Sequence, residues 1–197
     1  MKRFVYLLRH AHVGREETFI GHLDIPLSSQ GVQESQEWAQ CMEDLELDAL
    51  YCSNLLRATE TAEPLLDRLT LQPQLMADLR ERNMGDWEGL SWEDVTRRYP
   101  EDSRHYLKNW AGAIPGGESL SQMKRRVLAA WKEIWSHSWD RAMIIAHGGT
   151  NRILLAEFLG IPDHNFFRIA QDHLRMNWIE FTEGTPTVKM INSRISS

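Results

Sequence analysis

The stretch Phe4-Val5-Tyr6-Leu7-Leu8-Arg9-His10-Ala11-His12 holds five consecutive apolar residues and then turns abruptly to an arginine and a histidine. A short run of this kind, with β-branched and aromatic members, predicts a buried strand. In open α/β sheets ligands bind in the crevice beyond the carboxyl ends of the strands. Arg9 and His10 therefore emerge where a site belongs. The pattern returns near the other end of the chain, where Ala142-Met143-Ile144-Ile145-Ala146 runs into His147-Gly148-Gly149. Two buried strands each deliver a histidine at the carboxyl end, and the remaining sequence is read around that pair.

At 197 residues the chain suits a single well-cored domain, 1–197, and is short for two. Its 42% hydrophobic and 25% charged content is ordinarily globular. A formal charge of -6 argues against a nucleic-acid surface, which needs a basic face, but leaves room for a small phosphorylated metabolite held by a few local cations. Cys41 and Cys52 lack CxxC spacing and read as reduced structural thiols, so a cytoplasmic location is expected. Lys2-Arg3 before an apolar run imitates an export signal, yet that run is shorter than the ~7–15 residues such a signal needs. No apolar stretch approaches a membrane span, and a homodimer is left open.

Between the two histidine strands, the residues from His12 to Pro26 read as an irregular loop. A helix then opens, with Ser28 or Ser29 as its N-cap. Asp48 to Cys52 is a second strand, after which Ser53-Asn54 is expected to cap a helix carrying Leu55, Ala58, Ala62, Leu65 and Leu69 at helical spacing. Pro64 lies inside that pattern, which predicts a break near Glu63. Pro73 to Met76 reads as an edge-like strand. From Leu79 to Glu118 the periodicity loosens into short helical pieces rich in Trp and Tyr, read as a cap insertion at about 82–118 over the strand ends. Ser119 or Ser121 caps a long helix. Thr150 to Leu159 is a buried helix closed by Gly160, with Pro162 just beyond. Residues 176–181 and 187–191 alternate and form a hairpin. The whole predicts a three-layer α/β/α fold: a mostly parallel central sheet, an antiparallel edge hairpin and a small helical cap.

A phosphomonoester needs cations matched to its oxygens, a nucleophile, and an acid for the leaving oxygen. Arg9 and Arg57 are the cation candidates, because a guanidinium fork grips phosphate bidentately and Arg57 falls in a helix first turn. A neutral His10 is competent as nucleophile, provided its second ring nitrogen has an acceptor. His147 precedes a Gly-Gly helix entry where backbone amides, Gly148 first, can approach an anion closely.

Four blocks in one order resemble the histidine phosphatase superfamily, the phosphoglycerate-mutase-like fold: Leu8-Arg9-His10, Ser53-Asn54-Leu55-Leu56-Arg57-Ala58-Thr59-Glu60-Thr61-Ala62, Leu79-Arg80-Glu81-Arg82-Asn83-Met84-Gly85-Asp86-Trp87-Glu88-Gly89, and His147-Gly148-Gly149. The resemblance spans nearly the whole chain. It implies His10 as the phosphorylated nucleophile, with Arg9, Arg57 and His147 as the phosphate pocket. It also implies Glu81 as proton donor to the leaving group, a substrate-binding set that includes Gly21 and Gly148, and no metal or other cofactor. The stretches 85–88, 109–115 and 188–194 are most similar to α-ribazole-5'-phosphate phosphatases, which implies that substrate. A benzimidazole nucleotide would want an aromatic wall, for which Trp87 and Trp110 are candidates.

Three departures from the family pattern stand out. Ala11-His12 replaces the usual glycine and acid or amide, which strains Ala11 if its φ is positive. The loop to Gly21 is short and lacks the expected phosphate-binding asparagine, leaving Thr18 or His12 to fill the place. Ile20 stands where a small hydroxyl residue is common. His22, His105, His137, His164 and His173 read as structural or solvated. A metal site built from His10, His12, His147 and Glu81 is disfavoured by the two converging arginines. A broad-specificity sugar or metabolite phosphatase, a phosphoglycerate mutase and a non-catalytic phosphate-binding protein are the alternative functions.

Overall fold

Strand β1 (Lys2–Arg9) lies parallel to a late strand, Arg141–Ala146, pairing Phe4 with Arg141 and Arg9 with Ala146. In that register His10 and His147 leave the sheet side by side, and the His10 amide donates to the Ala146 carbonyl at 2.9 Å. The computed structural model describes residues 2–15, 17–42, 45–66, 68–69 and 71–195. The other strands are β2 (Ala49–Ser53), β3 (Gln74–Met76), β4 (the late strand just named), β5 (Met176–Thr182) and β6 (Thr185–Ser193), in the sheet order β3-β2-β4-β1-β5-β6. β1 to β4 are mutually parallel, whereas β5 pairs antiparallel with both β1 and β6.

The side-chain alternation of a strand divides the core in two. Val5 and Leu7 of β1, with Ala142, Ile144 and Ala146 of β4, face helices α5 (Leu120–Ser136) and α6 (Gly148–Leu159). Leu8, Met143 and Ile145 face α1 (Ser29–Gln40) and α2 (Leu56–Leu66). Between β3 and α5 the chain makes two short helices, α3 (Trp92–Arg98) and α4 (Pro100–Lys108), around a third cluster of Trp87, Val95 and Ile114. Phe19 from the first loop packs into that cluster, tying the loop to the cap segment. Among the described residues no helix is long and apolar enough to cross a membrane.

The caps resolve the choices the sequence left open. Ser28 caps α1, accepting from Gly31 N at 3.1 Å. Ser119 caps α5 in a reciprocal box with Gln122. Two expectations are corrected at α2. The helix begins at Leu56, whose N–H is taken by Asp24 Oδ1 at 2.6 Å, so the cap comes from the distant loop and not from Ser53-Asn54. It also continues through Pro64 to Leu66, with no break at Glu63. Pro64 falls in the last turn, where one backbone bond is lost, and burial of Leu65 holds the turn closed.

Candidate active site

His10 is 5% exposed and its Nδ1 lies 2.7 Å from the Ala11 carbonyl oxygen. A carbonyl only accepts, so Nδ1 carries the proton and Nε2 keeps the lone pair. Burial pushes the imidazole well below the usual histidine range, and the guanidiniums of Arg57 and Arg9 push it further. His10 is therefore neutral, with its free lone pair at Nε2. Ala11 is absent from the positive-φ residues of the described chain; its N–H donates to Thr61 Oγ1 at 2.9 Å, and the possible strain of an alanine here does not arise.

The His147 ring stands 5.1 Å from that of His10, centroid to centroid, and is completely buried. Its Nε2 lies 2.8 Å from Ser53 Oγ, while Nδ1 is buried with no protein partner. Ser53 Oγ already takes the Leu55 N–H at 3.4 Å, so its proton is available to His147 Nε2. That assignment leaves Nδ1–H as a buried, unused donor, the species a phosphate oxygen requires. Burial, followed by Arg57, also keeps this imidazole well below its usual range.

Arg57 is 1% exposed, and its fork donates to the carbonyls of Leu23 (3.0 Å) and Gly21 (2.8 Å). Arg9 donates to the Gln171 carbonyl at 2.6 Å and to His173 Nε2 at 2.9 Å. Both arginines, with His10, Thr18, Glu81 and His173, line a cavity of about 110 Å³. His147 stands behind this lining. The carboxylate of Glu81 accepts from Gly149 N (Oε2, 2.8 Å) and Arg82 N (Oε1, 2.8 Å). Arg126 grips Glu118 bidentately at 2.7 and 2.8 Å and donates to the carbonyls of Arg80 and Glu81, both at 2.7 Å. The backbone under Glu81 is thereby fixed from α5.

Gly148 opens α6, where N–H groups lack intrahelical partners and face anions readily. Gly21 has a different part: its N–H is spent on Glu88 Oε2 at 2.9 Å, and a Cβ there would come within 2.0 Å of the Arg82 carbonyl oxygen. Its contribution is close approach and a carbonyl for Arg57. Thr18 reaches the cavity, whereas His12 Nδ1 is 2.7 Å from Ser28 Oγ. Trp87, 1% exposed, belongs to the cap core and offers no wall to a ligand. Trp110 does line a second cavity, of about 120 Å³, with Tyr106, Phe166, Phe167 and Arg152; Glu81 borders it as well.

Two residues escaped the sequence reading. His173, taken as structural or solvated, has its ring 5.2 Å from that of His10. Glu88 accepts four backbone N–H groups, from Gly21, His22, Leu23 and Met84, at 2.6 to 3.0 Å. An acid in a Gly-Asp-Trp-Glu-Gly turn was the available signal for Glu88. No local pattern marked His173.

A profile of the histidine phosphatase superfamily (branch 1) matches residues 5–194. Adenosylcobalamin/alpha-ribazole phosphatase of Escherichia coli K12 is 26% identical over 196 residues, covering 96% of each chain. Uncharacterized phosphatase PhoE of Bacillus subtilis is 30% identical, covering 98% of this chain and 96% of its own. The crystal structure of the alpha-ribazole phosphatase from Shigella flexneri, 26% identical, superposes with a TM-score of 0.89 over 96% of each chain. With the paired histidines, the two arginines and the glutamate around one cavity, and a profile match over nearly its full length, the chain belongs to the histidine phosphatase superfamily.

Proposed function

We propose that this chain is a metal-independent phosphomonoesterase working through phosphorylated His10. The observation that carries the reading is the tautomer of His10: Nδ1–H is committed to the Ala11 carbonyl, so Nε2 is the nucleophile in a cavity walled by two guanidiniums. His10 Nε2 attacks phosphorus as the ester P–O bond breaks, and Glu81 gives its proton to the departing oxygen. Water then attacks the P–N bond and passes a proton to Glu81, and inorganic phosphate leaves with His10 restored. Arg9, Arg57, His147 Nδ1–H and the Gly148 amide stabilise charge on the equatorial oxygens.

For the substrate we propose α-ribazole 5'-phosphate, within the assembly of the cobalamin nucleotide loop. Support comes from the names of two relatives and from the aromatic cavity that Glu81 also borders. The test is a panel of phosphomonoesters scored by kcat/KM, with acid-quenched mass spectrometry for the phosphoenzyme. A His10 phosphoryl adduct, loss of turnover in His10→Ala, block by vanadate and indifference to chelator are expected. α-Ribazole phosphate should lead 3-phosphoglycerate and sugar phosphates by at least about tenfold, a margin of about 1.4 kcal/mol. Full turnover in His10→Ala would end the covalent mechanism. A flat panel would end the substrate assignment alone, and bisphosphoglycerate-dependent isomerisation outpacing hydrolysis would make the protein a mutase.

A further inference from the structure

We propose that Arg126 is a positioning residue for proton transfer at Glu81: its guanidinium locks the backbone that carries Glu81 and so fixes where the carboxyl group meets the departing oxygen. This rests on Glu81 being the acid of the reaction proposed above. It assigns a part in that step to a residue 45 positions away that lines neither the phosphate cavity nor the aromatic one.

After a single 3₁₀ turn at Ala77–Leu79, residues 80–84 have no helix or strand of their own to hold them. Their carbonyls must find partners elsewhere. Three carbonyls, of Asp78, Arg80 and Glu81, turn toward α5 and converge on the Arg126 fork. Nη1 donates to Asp78 at 2.9 Å and to Arg80 at 2.7 Å, and Nη2 donates to Glu81 at 2.7 Å. The other two N–H groups go to Glu118, from Nε to Oε1 at 2.7 Å and from Nη2 to Oε2 at 2.8 Å. All five donors of the guanidinium are thereby used. A lysine has its three donors on one nitrogen and cannot span the set.

Glu118 completes the clamp. Its Oε2 also takes the Asn83 N–H at 2.9 Å, so the pair holds the chain on both sides of Arg82. The two side chains are only 15% and 18% exposed, which limits competition from water. Burial pushes the Glu118 carboxyl up, but Arg126 and the Asn83 N–H outweigh it and keep Glu118 an ionised partner. From the opposite side α6 holds the same segment. Thr150 Oγ1, completely buried, lies 3.0 Å from the Arg80 carbonyl oxygen, and Gly149 N meets Glu81 Oε2. The Glu81 backbone is thus held from α5 and its carboxylate from α6. Completely buried Leu79 already anchors the preceding turn in the core, so what the fork adds is the setting of the residues that follow it.

A double-mutant cycle separates positioning from mere support. kcat and KM are measured for the parent, Arg126→Lys, Glu81→Gln and the double variant. The two esters are β-glycerophosphate, whose alkoxide needs a proton to leave, and p-nitrophenyl phosphate, whose phenolate does not. On β-glycerophosphate, Arg126→Lys should lose about tenfold in kcat at unchanged KM in the parent, but less than about twofold in the Glu81→Gln background, because both act through one carboxyl group. On p-nitrophenyl phosphate it should lose less than about threefold, with inhibition by orthophosphate unchanged. Arg126→Met, with no donors at all, should deepen the β-glycerophosphate loss to about 10²-fold; should it fail to fold, the lysine cycle decides alone. Additive losses in the cycle, equal losses on the two esters, or parent-like kcat in Arg126→Lys would each overturn the proposal. If Glu81→Gln keeps full activity on β-glycerophosphate, Glu81 is not the acid and the proposal falls with that reading. If Glu81→Gln is impaired and Arg126→Lys is not, the positioning role falls alone.

Discussion

Replacing Gly149 by alanine isolates the acid from the rest of the site. A Cβ built on Gly149 falls 2.1 Å from Glu81 Oε1 and 3.0 Å from its carboxyl carbon. Ordinary contact is about 3.5 Å, so the carboxylate must retreat by about 1 Å, and a misplacement of that size costs about 10²-fold in rate. The helix itself loses nothing, since alanine is favoured over glycine by about 1 kcal/mol in a helix. The charge-assisted bond from Gly149 N to Glu81 is stretched as well, which offsets that gain. Thermal stability should therefore stay near the parent's while the chemistry suffers. The defect should depend on the leaving group. An alkyl phosphate, whose departing oxygen needs a proton, should lose about 10²-fold in kcat, and an aryl phosphate with a stable phenolate less than about threefold. Inhibition by orthophosphate should be unchanged, because Arg9, Arg57 and His10 are untouched. Equal losses on both esters, or none on the alkyl ester, would refute the assignment of Glu81 as the proton donor.

Glu88→Gln should destabilise the protein without entering the chemistry. Whichever way the amide is turned, its NH₂ faces two N–H donors that a carboxylate oxygen had accepted, a loss of about 2–4 kcal/mol seen as a lower denaturant midpoint at unchanged slope. Acid should unfold the chain early. His10, His147 and His173 all have folded values depressed below the ordinary 6.5, so below that pH the unfolded chain binds more protons and stability falls as pH drops, down to about 3 for His173. At about 1.4 kcal/mol per pH unit for each imidazole, the three together cost about 4 kcal/mol per unit once pH is well below 6.5. Urea titrations at pH 7 and 5 measure this directly, and equal stabilities would contradict the buried, neutral state of these rings.

Much of this molecule is legible one segment at a time. A five-residue apolar run ending in Arg-His can be little but a buried strand delivering polar groups at its carboxyl end, and β1 and β4 both follow that rule. Helix caps are equally local, because a serine hydroxyl reaches an amide three residues on, as at Ser28 and Ser119. Motif order was enough to bring His10, Arg57, Glu81 and His147 under one reading. Features that depend on sequence-distant partners were not legible. The cap of α2 is Asp24, 32 positions before the residue it serves. The helix passes Pro64 because of what Leu65 packs against, which no local propensity contains.

His173 is the sharpest instance. By composition it is one of eight histidines, in a stretch with no periodicity. It becomes part of the site because Leu174 is held at positive φ and because Asn177 and Asn192 pin the segment beside Arg9. The amino-acid order alone therefore determined which strands and helices form and which residues leave the strand ends, since hydrophobic period and capping act over a few residues. Tertiary packing decided which partners meet the rings of His147 and His173, which carbonyls hold each arginine and which third imidazole joins the pocket, because hydrogen bonds over 2.6 to 3.0 Å between remote segments form only when those segments meet.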